Sequence, residues 1–311
     1  MASTREVCTT TFALNNGMRI PAVGLGTWQG SGNKTEKDKI RDSIVQALHA
    51  GYRLIDTAQY YFVEPVVGDA VRSSGIPRDE IAVLDALGLE NVDIFLMHWP
   101  CAATPDNTRA LRIHESPTFV ETWKKMEACL GDRCRAIGVC NFTQKTLDRL
   151  LGQATITPVV NQVELHALNP NLQLVPYCHE KGIQVMGWST MGGGAEYTPR
   201  ASEILTNPLF QRIAAQHQCS TGVLALSWAV QRGTIVIPKS SSTQRIEKNI
   251  RLVTLDDAEV QEINEAHQTI GRLRIADHIQ AMRREIDGQS TMLGWTPQDF
   301  GWEDEQGAWL T

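Results

Sequence analysis

The feature that most narrows the fold is an alternation kept up along most of the chain: a short apolar run, then a segment whose apolar residues recur at helical spacing. Strand-like runs fall at 22–25, 52–56, 81–83, 92–97, 136–139, 159–163, 184–188 and 234–237. Helical patterns follow at 36–50, 66–72, 118–130, 144–151, 172–180, 203–217 with 222–232, and from Thr243 onward. Eight βα steps of about 30 residues each predict an α/β protein built as a (β/α)8 TIM barrel, with an open doubly wound sheet as the alternative. Ahead of them, Asn15-Asn16-Gly17 supplies the positive φ values of a tight turn, so 12–20 reads as an N-terminal β-hairpin that plugs or covers something larger.

The third unit departs from the pattern. Only eight residues separate Val83 from Val92, whereas a parallel crossover with its helix needs about 10–12. Residues 84–89 have room for one helical turn, so the third βα unit is predicted to be truncated. Its strand should be short or displaced, and the flank between the helices at Val66 and Thr118 open, with apolar side chains exposed.

The chain, 1–311, is expected to form a single domain. A hydrophobic content of 42% with 21% charged residues suits an ordinary globular core. The C-terminal tail, 272–311, carries Trp295, Phe300, Trp302 and Trp309 and is too aromatic for a disordered end. A net charge of −6 without a basic run argues against nucleic acid as a partner. Neither a secretory signal nor a run of 18 apolar residues is found, so the expectation is a cytoplasmic monomer acting on a small molecule, with no membrane partner. Seven scattered cysteines without a C-x-x-C pair read as reduced thiols. Glu164-x-His166 offers too few ligands for a metal, so none is expected.

Two strands end in chemistry. Leu54-Ile-Asp-Thr-Ala-Gln-Tyr-Tyr61 runs from an apolar strand into a carboxylate, a hydroxyl and two phenols, and the strand at 92–97 runs into His98-Trp99-Pro100. If the strands are parallel, Asp56, Tyr61 and His98 converge on one rim, where parallel α/β proteins place catalysis. At the end of the eighth strand, Lys239, Ser240, Ser242 and Arg245 gather two cations and two hydroxyls, which makes a phosphate site. Gly24-Leu-Gly26 lacks the third glycine of a dinucleotide fingerprint, because Gln29 stands there, so a Rossmann phosphate loop is not supported.

Several motifs, in order, carry the reading further: Gly24-Leu-Gly-Thr-Trp28, Asp56-Thr-Ala-Gln-Tyr-Tyr61, Leu96-Met-His-Trp-Pro100, Gly138-Val-Cys-Asn-Phe142, Asn161-Gln162, and Ile237-Pro-Lys-Ser240 with Arg245 and Asn249. In these the chain resembles the aldo-keto reductase family, which moves a hydride between a nicotinamide cofactor and an aldehyde or ketone. The resemblance implies that Tyr61 is the general acid and that His98 orients the carbonyl. It implies NADP(H) as cofactor, with Asn141 and Gln162 on the nicotinamide carboxamide and Cys140 in place of the usual serine. Trp188 stands in place of the stacking tyrosine and is followed by Ser189, while Gly26, Thr27, Trp28 and Asp56 lie beside the cofactor. Lys239, Ser240, Ser242 and Arg245 would grip the 2′-phosphate, and Asn249 would face adenine. Trp28, Trp99 and the tail would line a substrate mouth suited to a bulky or aromatic carbonyl, plausible in specialised metabolism.

One expected piece is missing. The family places a lysine at the end of the third strand, paired with the aspartate that matches Asp56, and its charge makes the phenol a usable acid near neutral pH, far from the ordinary value of about 10. Here that strand continues Leu84-Asp85-Ala86. Either the protein lacks the segment, or the transcript carries one that this chain omits. In the first case the alternative function is that of a cofactor-binding pseudoenzyme or accessory subunit without turnover.

Overall fold

In the computed structural model, residues 5–28, 37–84, 91–106, 109–131, 134–194, 196–286 and 288–310 are described. Gln29 and most of the helical turn anticipated at 84–89 lie outside them. The first two strands, β1 (Thr11–Ala13) and β2 (Arg19–Pro21), pair antiparallel as the Asn-Gly turn requires, with Gly17 at φ 85°. Eight parallel strands follow: β3 (Leu25–Gly26), β4 (Leu54–Asp56), β5 (Ala82–Leu84), β6 (Val92–Met97), β7 (Cys134–Cys140), β8 (Val160–Glu164), β9 (Gln184–Trp188) and β10 (Ile235–Val236). They neighbour one another in sequence order. The two ends of the sheet meet where Val23 bridges Val236 and the Gly24 amide donates to the Val236 carbonyl at 2.8 Å. Closure leaves no unpaired edge, and it decides for the barrel over the open sheet.

Side chains alternate across each strand. Leu54, Ile94, Leu96, Val160 and Met186 turn into the barrel and bury one another, and Leu14 and Ile20 of the hairpin join them. Asn15 donates to the Pro158 carbonyl at 2.9 Å, just ahead of β8. The hairpin therefore plugs the end where the strands begin and leaves the other end for chemistry.

The helices are α1 (Lys37–His49), α2 (Glu64–Ser73), α3 (Phe119–Glu127), α4 (Gln144–Leu151), α5 (Leu174–Glu180), α6 (Glu203–Thr206), α7 (Pro208–Gln216), α8 (Thr221–Gln231), α9 (Thr243–Asn249), α10 (Asp257–Ile270) and α11 (Pro297–Phe300). The single helix expected at 203–217 is two. Pro208 has no amide to continue the ladder and pushes Asn207 into an extended conformation, ψ 136°, from which its side chain accepts the Leu209 amide and caps α7.

In the third unit β5 is three residues long, and Leu84 pairs with Asp56 on one side and Ile94 on the other. Val92 lies only two residues below Ile94, so the returning chain has to cover about 7 Å rather than a full strand length. The junction is fastened by charge. The Asp93 carboxylate accepts the Val83 amide at 2.9 Å and pairs with Arg78 at 2.9 Å and Arg135 at 3.0 Å. Arg78 also donates to the Ile81 carbonyl at 2.5 Å and the Asn91 carbonyl at 3.1 Å, so it holds both ends of the short connection. The expected exposure is narrower than foreseen. Among the described residues, Phe95 on β6 is the only large apolar strand side chain that stands exposed, at 39%, while Ile81, Val83 and Trp123 remain buried.

Candidate active site

The strand ends opposite the hairpin carry the residues singled out from the sequence. Asp56 closes β4 and is 6% exposed. The chain then turns through a short 3-10 segment, Gln59–Tyr61, which sets the Tyr61 ring 6.0 Å from the His98 ring, nearly edge-on at 78°. The His98 imidazole makes no hydrogen bond among the described residues, and burial lowers its pKa. It is therefore neutral at neutral pH, able to donate from one ring nitrogen without carrying charge. Gly26 sits where strands press together, since a Cβ there would come 2.8 Å from the Ile237 carbonyl oxygen, and the buried Thr27 donates its amide to the Asp56 carbonyl at 3.1 Å.

A hydrogen-bonded chain crosses the mouth from β4 to β9. Gln162 donates to Asp56 Oδ1 at 2.9 Å and meets Met186 Sδ at 3.1 Å. Cys140 Sγ reaches Gln162 Oε1 at 3.6 Å and receives Asn141 Nδ2 at 3.2 Å. Asn141 Nδ2 also donates to the His98 carbonyl at 2.9 Å, and Trp188 Nε1 donates to Asn141 Oδ1 at 2.9 Å. The two amides thus have their donors engaged and keep acceptor lone pairs, which fits them to receive the N–H groups of a carboxamide. Sequence reasoning did not foresee the backbone here. Phe62, Asn141 and Ser189 stand at φ 57°, 64° and 52°, and the latter two directly follow β7 and β9. Asparagine tolerates this region, whereas the others are held in it by their surroundings, as is common beside functional sites.

At the end of β10, Lys239 and Arg245 are exposed. Neither makes an ion pair among the described residues. Ser240 is turned inward to accept the Ser242 amide at 3.1 Å, and Ser242 caps α9 by accepting the Arg245 amide at 3.5 Å. Of the four residues expected to hold phosphate, the two cations are thus presented to solvent while the hydroxyls shape the turn. Asn249, on the last turn of α9, is buried. This donor set fits a phosphate group.

The structure separates the two tryptophans expected at the substrate mouth. The Trp28 ring lies 4.9 Å from that of Tyr61 and stacks near Tyr60 at 6.4 Å, and its indole N–H donates to the Tyr197 hydroxyl at 2.6 Å. Tyr60 and Phe62 extend this aromatic shelf and are 54% and 63% exposed. Trp99 instead packs edge-on against Phe300 and Trp302 of the tail, at 5.9 and 6.3 Å. The tail is fixed to the rim by Thr143, whose hydroxyl donates to the Phe300 carbonyl at 2.5 Å. Glu164 and His166, noted in the sequence as an unpromising metal pair, bond to each other at 2.9 Å. The Glu164 carboxylate also accepts the amides of Ile275 and Ala276 at 2.6 and 2.9 Å, so it anchors the start of the tail. Among the described residues no His, Cys, Asp and Glu cluster could hold a metal ion, and no helix is long and apolar enough to cross a membrane.

A closed parallel barrel with phenol, imidazole and carboxyl at one rim and a cationic site at the end of its last strand defines an oxidoreductase scaffold of a known kind. The chain belongs to the aldo/keto reductase family, whose model matches residues 22–85 and 82–268. Membership makes it an NADP-dependent oxidoreductase of the type that moves hydride between NADP(H) and an aldehyde or ketone. It is 34% identical over 312 residues to glycerol 2-dehydrogenase (NADP(+)) of Saccharomyces cerevisiae, covering 88% of this chain and 96% of the relative. It superposes on Bombyx mori aldo-keto reductase in complex with NADP with a TM-score of 0.75 at 32% identity, covering 84% of this chain and 93% of the other. A second aldo-keto reductase, complexed with NADPH, gives a TM-score of 0.79 at 27% identity, with 93% and 98% covered.

Proposed function

We propose that this reductase acts on bulky or aromatic carbonyl compounds, with Tyr61 as proton donor and His98 as the group that orients the carbonyl oxygen. The observation that carries the reading is the meeting of the Tyr61 and His98 rings beneath the shelf of Trp28, Tyr60 and Phe62. A flat apolar substrate gains from stacking on such a shelf, whereas a small polyol offers it nothing to cover. Trp99 supports the mouth from the tail side. When bound, NADPH supplies the hydride. Asn141 and Gln162 receive its carboxamide beside Cys140, Trp188 and Ser189, and Gly26, Thr27, Trp28 and Asp56 border it. Lys239 and Arg245, with Ser240, Ser242 and Asn249 behind them, receive its adenosine phosphate. The neutral imidazole of His98 donates a hydrogen bond to the carbonyl oxygen, and the phenol of Tyr61 protonates that oxygen as charge develops on it.

The third unit is proposed to be truncated relative to the family, either in the protein or by omission of a segment from this chain, and the division of the family match at 82–85 places the departure at that junction. No lysine occurs between Lys39 and Lys124. The pseudoenzyme alternative gains no support from the relatives. A cytoplasmic monomeric enzyme of specialised metabolism, formed as one domain with its tail over the mouth, is consistent with the composition. The test is steady-state oxidation of NADPH with a panel of aromatic aldehydes, bulky ketones and small polyol-derived aldehydes. The expected ranking favours the aromatic compounds, and Trp28→Ala should raise KM for them about tenfold, the cost of about one stacking contact. Equal turnover of small and bulky carbonyls would end the substrate reading.

A further inference from the structure

Trp28 is held from across the mouth. An indole has a single donor, and that of Trp28 goes to the Tyr197 hydroxyl at 2.6 Å, 169 residues away in sequence. Trp28 follows β3, whereas Tyr197 lies on the loop that leaves β9, so the bond spans the end of β10 between them. The loop is built for this reach. Gly192 stands at φ 91°, where a Cβ would collide with the Ala201 carbonyl oxygen, and its amide donates to the Ser189 carbonyl at 2.7 Å. The Tyr197 amide turns back onto the Gly194 carbonyl at 3.1 Å. Beyond it, Arg200 donates to the carbonyls of Gly271 and Arg272 at 3.1 and 2.9 Å and pairs with Glu203 at 3.0 Å, which ties the far end of the loop to the chain just past α10. Burial raises the Tyr197 pKa against the lowering effect of the Trp28 bond, and Glu196 adds to the rise, so the hydroxyl stays a neutral phenol near neutral pH.

The indole is half-buried, and its plane lies 17° from that of Tyr60 and 55° from that of Tyr61. Set free, its N–H would bond water at little cost, so the Tyr197 bond decides which way the ring faces rather than whether the fold holds. We propose that Tyr197 is a specificity-determining residue of this reductase, a positioning residue that acts through Trp28: its hydroxyl fixes the indole plane on which a flat carbonyl substrate stacks. An aromatic substrate needs that plane in one orientation, because stacking depends on the angle and offset of the rings. A small aliphatic carbonyl meets His98 and Tyr61 without covering the shelf. Selection between the two thus depends on the loop after β9 as well as on the shelf itself, and the effect of Tyr197 falls on recognition rather than on hydride or proton transfer. The proposal rests on the reductase reading above.

The test uses Tyr197→Phe in the full-length chain, a change that keeps the ring and removes the oxygen. KM for benzaldehyde should rise about three- to tenfold, the effect of about one hydrogen bond, with the loss in KM rather than in kcat. Selectivity for benzaldehyde over propanal, taken as the ratio of their kcat/KM values, should fall by the same factor. In a Trp28→Phe background no indole N–H remains to be held, and there Tyr197→Phe should change the selectivity by less than about twofold. A loop that only shaped the fold would impose the same loss in both backgrounds. Proton NMR gives the physical readout: the Trp28 indole N–H, identified by its absence from Trp28→Phe, should exchange with solvent about tenfold faster in Tyr197→Phe. Unchanged selectivity in Tyr197→Phe, an equal loss in both backgrounds, or an indole exchange rate that the substitution does not move would overturn the proposal. Failure of the reductase reading looks different: the wild type would oxidise NADPH with neither aldehyde, whatever the indole exchange does.

Discussion

Replacing Asp56 by asparagine should stabilise the fold at pH 8 more than at pH 5, and the size of the difference follows from one buried group. In the unfolded chain the carboxyl has its ordinary value of 3.8, and in the folded protein burial, outweighing the Gln162 hydrogen bond, pushes it up to about 7. A group whose folded pKa lies above its unfolded one keeps its full contribution below the unfolded value. That contribution is lost as pH rises, because the unfolded chain releases a proton that the folded one retains. The loss begins near pH 4 and is complete just above pH 7. The span of about three units corresponds to about 4 kcal/mol, at 1.36 kcal/mol per unit, and about two of those units fall between pH 5 and pH 7. The asparagine protein has nothing to titrate there, and all other groups cancel in the comparison. Urea unfolding of both proteins at pH 5 and pH 8 should therefore show their stability difference shifting by about 2.7 kcal/mol in favour of asparagine. A difference that stays constant within about 0.5 kcal/mol would mean the carboxyl ionises freely in the fold, and the reasoning about its isolation would be wrong.

Three further outcomes are expected. Arg245→Glu should weaken NADPH, read by fluorescence quenching, by about ten- to a hundredfold while leaving NADH within about twofold, because only the phosphorylated cofactor meets the cation. Asp93→Ala should lower the urea midpoint by an amount worth about 2–4 kcal/mol, since it strands the Val83 amide and releases both Arg78 and Arg135. Glu164→Gln replaces one of the two oxygens that accept the Ile275 and Ala276 amides by an NH2 group, leaving one amide without its acceptor, and should speed proteolytic cutting within 275–310 several-fold, with little change in barrel unfolding.

Much of the fold was legible because closure and polarity leave clear marks in sequence. The strand at Val92–Met97 and the helix at Gln144–Leu151 fall where the periodicity puts them. The split at Asn207-Pro208 was hidden because the apolar spacing runs on across it, and only the proline marks the break. At the site, the motifs named Tyr61, His98, Asn141 and Gln162, but they could not show that both amides spend their donors on protein groups. That depends on which way each side chain turns, and no residue type fixes it. Nor could they separate Trp28 from Trp99, since both indoles follow a strand and only the path of the tail decides which is covered. Glu164 was passed over because its partners are backbone amides more than a hundred residues away, which carry no sequence signature.

The short connection between β5 and β6 separates two jobs. Closing the barrel asks of β5 only that its backbone be paired on both sides, and three residues suffice for that, with Leu84 pairing with both neighbours. Covering the flank and charging the site ask for residues beyond the strand, and there the chain has only seven before β6. Among the described residues, the junction is met by charge. Asp93, which points outward beside Phe95, pairs with two arginines, and a buried carboxylate satisfied in this way replaces apolar cover that the connection cannot provide. The site has no such substitute, since nothing cationic among the described residues faces Asp56. A carboxylate left alone in a dry site takes up a proton rather than keep its charge. A connection too short to bring a cation thus suffices to pair β5 on both sides, while among the described residues Asp56 is left as an acid.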